Sequence, residues 1–487
     1  MSFFTVKHIS SKSKARLGTI TTDHGVIQTP AFVPVGTKGT IKGLTQEQIK
    51  DLKIQLSFVN TYHLVTHPSV EVLQKAGGIH TFAKYSIPLM SDSGGFQVFS
   101  LAQQRGRNNF SVIPAEAGIQ SKIHNTNSDN YSLDSRLLTK GQSPFGRRGN
   151  DTINTEIKNN KRIADVRGEE KPLVEKISED GVMFRSLYDG QLVNFTPETS
   201  MDFQRVIGAD INMAFDECTY HPATHEYAER AMERTHRWLK RCIQHRSVIP
   251  VKTGIQEKNK EIIDWIPASA GMTQNTTNHY PPFDFAQGKP TTSHQYLYGI
   301  IQGGTYEDLR KKSAEFVVGK NTPGVAIGGV SVGETKEEMR KQVEWVAPYL
   351  PKDRPVHLLG VGQVDDIVDL VEFGIDTFDC VEPTRLARVG RVYETKKILE
   401  YVETRHGTSL QAHTFDFDIN KLSNKSDLTP LDENCHCSTC MNYSKAYLYH
   451  LFKQRELLGY TLLSYHNLFV MECLMEQVRI MIEANKL

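Results

Sequence analysis

Three aspartates, one glutamine and several glycines stand where chemistry could collect. They are Asp92 in "SDSGGFQ", Asp216 in "FDE", Gln302 in "IIQGG", Gly329 in "GGVSVGE" and Asp379 in "FDCVEPTR". Each follows a short apolar run. Two carboxylates flanking a sugar–base bond can run a double displacement. One attacks the anomeric carbon and the other moves the proton of the leaving and entering groups. A remaining aspartate beside a glutamine can read a base edge, accepting from its N–H groups and donating to its carbonyl. Glycine pairs let backbone N–H groups approach a flat ligand. Phe96, close to Asp92, offers either a stacking face or a core aromatic. A lone aspartate at a strand end is more often the N-cap of the next helix. Three of them with a glutamine, on consecutive strands, favour a site.

A second constellation is "CHCSTC", with Cys435, Cys437 and Cys440, followed by His466 in "LLSYHNLF". Three thiolates and one imidazole make a closed tetrahedral zinc set, and a closed set is structural because catalytic zinc keeps an open position. His436 and His450 are the competing fourth ligands. The other four cysteines, Cys218, Cys242, Cys380 and Cys473, are scattered, which is poor disulfide spacing.

Elements must carry these groups to one place. Eight short apolar runs alternate with helical patterns: residues 29–36, 56–64, 87–95, 210–217, 297–304, 324–330, 356–362 and 375–381. Most lack strict alternation, as strands buried on both faces should. Eight βα units predict an α/β fold, a (β/α)8 TIM barrel with a C-terminal zinc-binding subdomain. An open doubly wound sheet is the alternative. In a barrel, the ends of the strands gather Asp92, Asp216, Gln302, Gly329 and Asp379 at one mouth.

Two connections are too long for such a barrel. Residues 105–171 hold nine asparagines and no helical period, and residues 247–295 hold five of the 20 prolines. Each sits beside a copy of one phrase, "SVIPAEAGIQ" at 111–120 and "SVIPVKTGIQ" at 247–256, identical at seven of ten positions. Two copies 136 residues apart are no solenoid. They resemble translated copies of a mobile genomic repeat. The expected organisation is therefore barrel over 1–104, 172–246 and 296–425, disordered insertions over 105–171 and 247–295, and a zinc-binding subdomain with a C-terminal helix over 426–487.

The chain has 487 residues and a net charge of +1, so any nucleic-acid contact must rest on a local basic patch. No run of 18 apolar residues exists, which predicts no membrane span, and the N-terminus lacks the apolar core of a secretory signal. A cytoplasmic protein is expected.

These motifs, in order, resemble the bacterial tRNA-guanine transglycosylases: "TPAFVPVGTKGT", "SDSGGFQ", "EDGVMFRS", "FDECT", "YGIIQGG", "FDCVEPTR", and "CHCSTC" with "YHN". The resemblance covers nearly the whole chain outside the two insertions. It implies a glycosyltransferase that replaces guanine at the tRNA wobble position by a 7-deazaguanine, preQ1 or queuine, in queuosine biosynthesis. It implies Asp379 as nucleophile and Asp92 as general acid/base. Asp92, Ser93, Gly94, Gly95, Phe96, Asp216, Gln302 and Gly329 would form the base pocket. Cys435, Cys437, Cys440 and His466 would hold one structural Zn2+ per chain. Two segments would meet the tRNA: Gly360, Val361, Gly362, Gln363, Val364, Asp365 and Asp366, then Thr384, Arg385, Leu386, Ala387 and Arg388. The guanine would be flipped from its stack.

Several positions depart from the family pattern. Gln363 stands where lysine is usual, Glu382 where an apolar residue is usual, and Val330 and Ser331 in place of Leu-Ala. An acid at 382 is expected to weaken the RNA track. Arg385, Arg388 and Arg391 remain as a basic stretch. Tyr443, Tyr447 and His450 share one helix face, either a core stripe or the seam of a homodimer, the state that the resemblance implies. Rival readings are a silent tRNA-binding zinc scaffold, which should lack Asp92 or Asp379, and a same-fold enzyme acting elsewhere in tRNA, which should carry further RNA-binding domains. A third is a relic disrupted by its insertions.

Overall fold

The computed structural model describes residues 2–95, 174–186, 190–248, 294–404 and 414–487. Phe96 and nearly all of both predicted insertions lie outside these residues.

All eight predicted runs form strands: β4 (Ala31–Pro34), β5 (Ser57–Val59), β6 (Leu89–Ser91), β10 (Ile211–Met213), β11 (Tyr296–Ile301), β12 (Gly324–Ile327), β13 (Val356–Leu358) and β14 (Thr377–Cys380). They pair in parallel in the order β4-β14-β13-β12-β11-β10-β6-β5. The ends meet where Val35 bridges Phe58, with Gly36 N–H donating to Phe58 O at 2.7 Å. A sheet whose edges meet is a barrel, so the open-sheet alternative is excluded.

The barrel interior is filled by Val33, Phe58, Met90, Met213, Tyr298, Ile300 and Ala326. Phe4, Ile20 and Ile27 join that cluster from an N-terminal antiparallel sheet of β1 (Phe4–Ile9), β2 (Arg16–Thr22) and β3 (Gly25–Thr29). Burying their side chains closes one end of the barrel against water and leaves polar groups to the other. The sheet is tied down by the buried pair Arg16–Asp376, with Nη2 2.5 Å from Oδ2 and Nε 3.0 Å from Oδ1.

Three further strands, β7 (Val174–Ile177), β8 (Val182–Arg185) and β9 (Leu192–Phe195), form an antiparallel sheet. β8 and β9 form a hairpin, with Val182 opposite Phe195. Gly190 sits at φ +72° and its N–H donates to Ser186 O at 2.9 Å, whereas Asp189 lies outside the described residues. The helix His225–Val248 runs two residues into the second predicted insertion. At the far end of that stretch, Gln295 Nε2 donates to Gln204 O at 3.1 Å and Ala209 O at 2.9 Å.

The C-terminal unit contains β15 (Arg391–Tyr393), β16 (Asp416–Asp418) and the helices Ser438–Asn442, Lys445–Gln454 and Leu457–Glu483. The last helix buries residues from Gly459 to Ile482, and Arg479 Nη1 donates to Pro30 O at 2.8 Å beside β4. The subdomain is therefore packed on the barrel.

Candidate functional site

Asp92 follows β6 and is 7 % exposed. Its Oδ2 accepts from Asn60 Nδ2 and its Oδ1 from Thr61 N–H, both at 2.6 Å, while Thr61 Oγ1 donates to its backbone carbonyl at 2.6 Å. Asn60 and Thr61 come from the end of β5. Sequence reading missed them, although a polar pair closing the apolar run "LSFV" was the available signal.

Next to it, Ser93 Oγ donates to Asp216 Oδ1 at 3.0 Å and accepts from Gly95 N–H at 3.1 Å. Gln302 Nε2 donates to Asp216 Oδ2 at 2.7 Å. Asp216 is thus held between β6 and β11. Burial pushes its carboxyl up to about 6; the Gln302 and Ser93 hydrogen bonds pull the other way and the nearby charge of Asp92 adds to the rise. Gly95 and Gly329 allow this crowding. A Cβ on Gly95 would lie 2.7 Å from Asp216 O, and one on Gly329, at φ +61°, would lie 2.2 Å from Gln302 Oε1. Behind the pocket, the fully buried Arg310 donates to Gly304 O at 2.7 Å and to Gly328 O and Gly329 O, both at 2.6 Å. One guanidinium therefore sets the two glycine loops that follow β11 and β12. Val330 is buried; Ser331 is exposed at φ +58°, with Glu334 accepting the N–H groups of Ser331 at 2.5 Å and Val332 at 2.8 Å. Ser331 is thus no part of a pocket floor.

Asp379 ends β14. Its Oδ1 accepts from Gly360 N–H at 2.9 Å and lies 3.1 Å from His357 Nε2. Asp92, Asp216 and Asp379 therefore stand at the same end of one barrel, which is where (β/α)8 enzymes carry their reactive groups.

The two segments expected to meet tRNA divide in a way that the sequence did not show. Gly360 serves Asp379. Val361, Val364, Thr384 and Ala387 are buried. Asp365 and Asp366 pair with the helix Lys336–Val346, with Lys336 Nζ 2.7 Å from Asp365 and Arg340 Nη2 2.8 Å from Asp366. Gln363 and Glu382, the two departures, meet each other: Gln363 Nε2 donates to Glu382 Oε2 at 2.8 Å, and Arg385 lies 3.5 Å away. The acid at 382 is partnered rather than bare. Arg385 is exposed and Arg388 half-buried, while Arg391 is committed to Asp416. Lys38 and Lys42 are exposed from the loop after β4. The charges of Arg388 and Lys38 add to burial in lowering the Lys42 ammonium. This basic cluster spans two segments, of which only the second was singled out.

Cys435, Cys437, Cys440 and His466 are all buried, with their ligand atoms within 4.8 Å of one another. His466 Nδ1 lies 3.5 Å from Cys437 Sγ and 3.3 Å from Cys440 Sγ, near the edge of a tetrahedron of roughly 3.5 Å around a zinc-sized ion. Its Nε2 donates to Tyr393 O at 2.9 Å, which leaves Nδ1 as the ligand nitrogen. His436 and His450 are exposed. The four residues fit a metal ion, and His466 is the fourth member. A second trio, His24, His80 and Asp210, is less suited. The two rings stack at 3.5 Å with planes 7° apart, so their in-plane lone pairs do not converge on one ion. Asp210 instead takes His24 Nδ1 at 2.8 Å and Leu89 N–H at 2.9 Å, as a brace at the end of the barrel opposite Asp92.

Tyr443 and Tyr447 stack at 5.5 Å, with Tyr447 40 % exposed and His450 exposed. Tyr443 precedes the helix Lys445–Gln454 and packs partly buried against the core, so the three residues share no single helix face. No described helix is long and apolar enough to cross a membrane.

The family model described as queuine tRNA-ribosyltransferase matches residues 11–130 and 159–487. Similar proteins include the queuine tRNA-ribosyltransferase of Caldanaerobacter subterraneus subsp. tengcongensis, 34 % identical across 98 % of this chain and 92 % of the relative. Another is that of Roseiflexus sp., 35 % identical across 98 % and 94 %. A third, from Synechococcus elongatus, is 36 % identical across 96 % and 87 %.

Proposed function

The chain belongs to the queuine tRNA-ribosyltransferase family, and on that premise we propose that it exchanges guanine at the wobble position of GUN-anticodon tRNAs for a 7-deazaguanine, preQ1 or queuine. The observation that carries this reading is the arrangement of three buried carboxylates at one barrel mouth. Each is held by donors that suit a different task.

Asp379 attacks ribose C1′ as the bond to guanine N9 breaks, giving a ribosyl ester. Asp92 supplies the proton that the departing guanine takes, then removes the N9 proton of the incoming base as it displaces the ester. One glycosidic bond replaces another, so no external energy is required. Asp216 accepts from the N–H groups of the base, Gln302 and the Gly329 backbone address its carbonyl edge, and Phe96 stacks upon it. The basic cluster of Lys38, Lys42, Arg385 and Arg388 holds the anticodon-loop phosphates. One Zn2+ per chain, bound by Cys435, Cys437, Cys440 and His466, stabilises the subdomain. The enzyme works in the cytoplasm, as a homodimer that uses the surface at the Tyr443–Tyr447 stack. The test pairs a GUN-anticodon tRNA with the same tRNA altered at the wobble base, each given preQ1 or queuine. A mass shift of the wobble nucleoside is expected in the first tRNA alone, and equal conversion of both would overturn the assignment.

Asp216 makes exchange pH-sensitive. Its carboxyl is raised to about 6, so below that pH the neutral form dominates and an acceptor for the base is lost. A carboxyl raised in this way makes the free fold less stable as pH rises from the ordinary carboxylate range to about 6, with no further change above that. The KM for guanine is expected to rise about tenfold per pH unit below 6. Asp216→Asn should give a KM raised roughly 10- to 100-fold with that pH dependence removed. A pH profile unchanged by the substitution would contradict the role.

We further propose the barrel segments 1–104, 172–246 and 296–425, with the subdomain 426–487, as the working enzyme. The second insertion leaves from Val248 and returns before β11, at the end of the barrel opposite the site. Loop closure costs on the order of 0.6 kcal/mol per doubling of length. Replacing residues 249–293 by a short linker should hold kcat/KM within about twofold, whereas loss of activity from a folded variant would show that the segment works in the enzyme.

A further inference from the structure

We infer that His357 is a positioning residue for the Asp379 nucleophile, and that it selects Oδ2 as the attacking oxygen. The inference rests on the nucleophile reading above. His357 lies in β13, directly opposite Thr377 of β14. Residues two apart on a strand share a face, so Thr377 presents its side chain beside that of Asp379. His357 is fully buried. Its Nδ1 lies 2.8 Å from Thr377 Oγ1 and its Nε2 3.1 Å from Asp379 Oδ1, and its ring stacks on Phe58 at 5.9 Å and 20°.

The proton positions follow from the partners. A carboxylate only accepts, so Nε2 must carry the hydrogen, and Nδ1 then accepts from the Thr377 hydroxyl. Asp379 thereby fixes the tautomer, and Thr377 holds the ring orientation. His357 N–H and Gly360 N–H together occupy Oδ1. Among the described residues, no donor reaches Oδ2. The carboxylate cannot rotate without breaking two hydrogen bonds, so Oδ2 keeps its lone pairs for C1′. When the ester forms, Oδ1 becomes its carbonyl oxygen. When the incoming base displaces the ester, negative charge returns to the carboxylate against donors already in place.

The structure explains why sequence reading passed over His357. In "VHLLGVG" it is one polar residue in an apolar strand, where a packed core histidine is the ordinary reading. Only the register of β13 on β14 shows that it faces both Thr377 and Asp379.

The test uses the full chain with GUN-anticodon tRNA, following both guanine exchange and covalent adduct on denaturing gels. His357→Phe keeps a ring against Phe58 but no donor. It should lower kcat and the rate of adduct formation about a hundredfold, with the KM for guanine changed less than twofold. His357→Gln restores an N–H donor and should recover at least tenfold of that loss. Thr377→Val, which keeps the volume and removes the anchor of Nδ1, should lower kcat about tenfold, and it decides the matter if phenylalanine at 357 does not fold. Equal impairment of the phenylalanine and glutamine variants, or a wild-type kcat in the phenylalanine or valine variant, overturns the inference. A wild-type chain that forms no adduct removes the nucleophile reading and this inference with it. Adduct formed by wild type and by His357→Phe at the same rate removes the positioning role alone.

Discussion

Asp379→Ala is expected to abolish base exchange, by on the order of 10⁴-fold or more, while tRNA still binds. No other described carboxylate is held as this one is, with one oxygen pinned by Gly360 N–H and His357 and the other open. Asp92 is held differently, with each of its oxygens accepting one short hydrogen bond, from Asn60 and Thr61. The alanine variant also strands the buried His357 donor, which costs about 1–3 kcal/mol of stability. Asp379→Asn is therefore the cleaner companion: its amide oxygen keeps both donors satisfied but does not attack C1′. Both variants should retain tRNA in a gel shift and form no adduct under denaturing conditions, where wild type does. Undiminished exchange by either would remove Asp379 from the reaction.

The second large effect is expected at the metal set. Cys437→Ser should lose the ion, because four ligand atoms converge there and a serine hydroxyl binds zinc far more weakly than a thiolate. Metal binding is coupled to folding, so its loss should loosen the subdomain. The effect should reach the barrel. His466 of the metal-fitting cluster donates to Tyr393 O, and its neighbour Asn467 accepts from Tyr393 N–H at 3.0 Å and donates to Pro383 O at 3.0 Å, just beyond β14. Zinc content near one per chain in wild type and near zero in the variant is expected, with earlier proteolysis within residues 414–487. Full zinc in the variant, or none in the wild type, would contradict the assignment.

Much of this molecule could be read without coordinates. Strands buried on both faces announce themselves as apolar runs, and the eight barrel strands coincide with the runs read from sequence, β11 starting one residue earlier at Tyr296. The cysteine spacing picked out three members of a buried cluster that could hold a metal ion, and register on the long helix Leu457–Glu483 brings in His466. The N-terminal sheet that plugs the barrel was not read, because β1 to β3 alternate buried with exposed or half-buried positions instead of running apolar. What pattern cannot supply is which side chains meet between distant segments. Asn60 and Thr61 reach Asp92 from another strand. Asp365 and Asp366, in a segment expected to meet RNA, turn to Lys336 and Arg340. Gln363 and Glu382 looked like two separate losses and form one hydrogen bond. Phe96 lies outside the described residues, so its stacking role rests on sequence alone.

The account stands or falls on base exchange by this chain. The direct measurement is incorporation of labelled guanine into GUN-anticodon tRNA by the purified protein, with no nucleoside triphosphate present. The account predicts label at the wobble position, released again when unlabelled 7-deazaguanine is added. Purified, folded, zinc-loaded protein that leaves the tRNA unlabelled would contradict it.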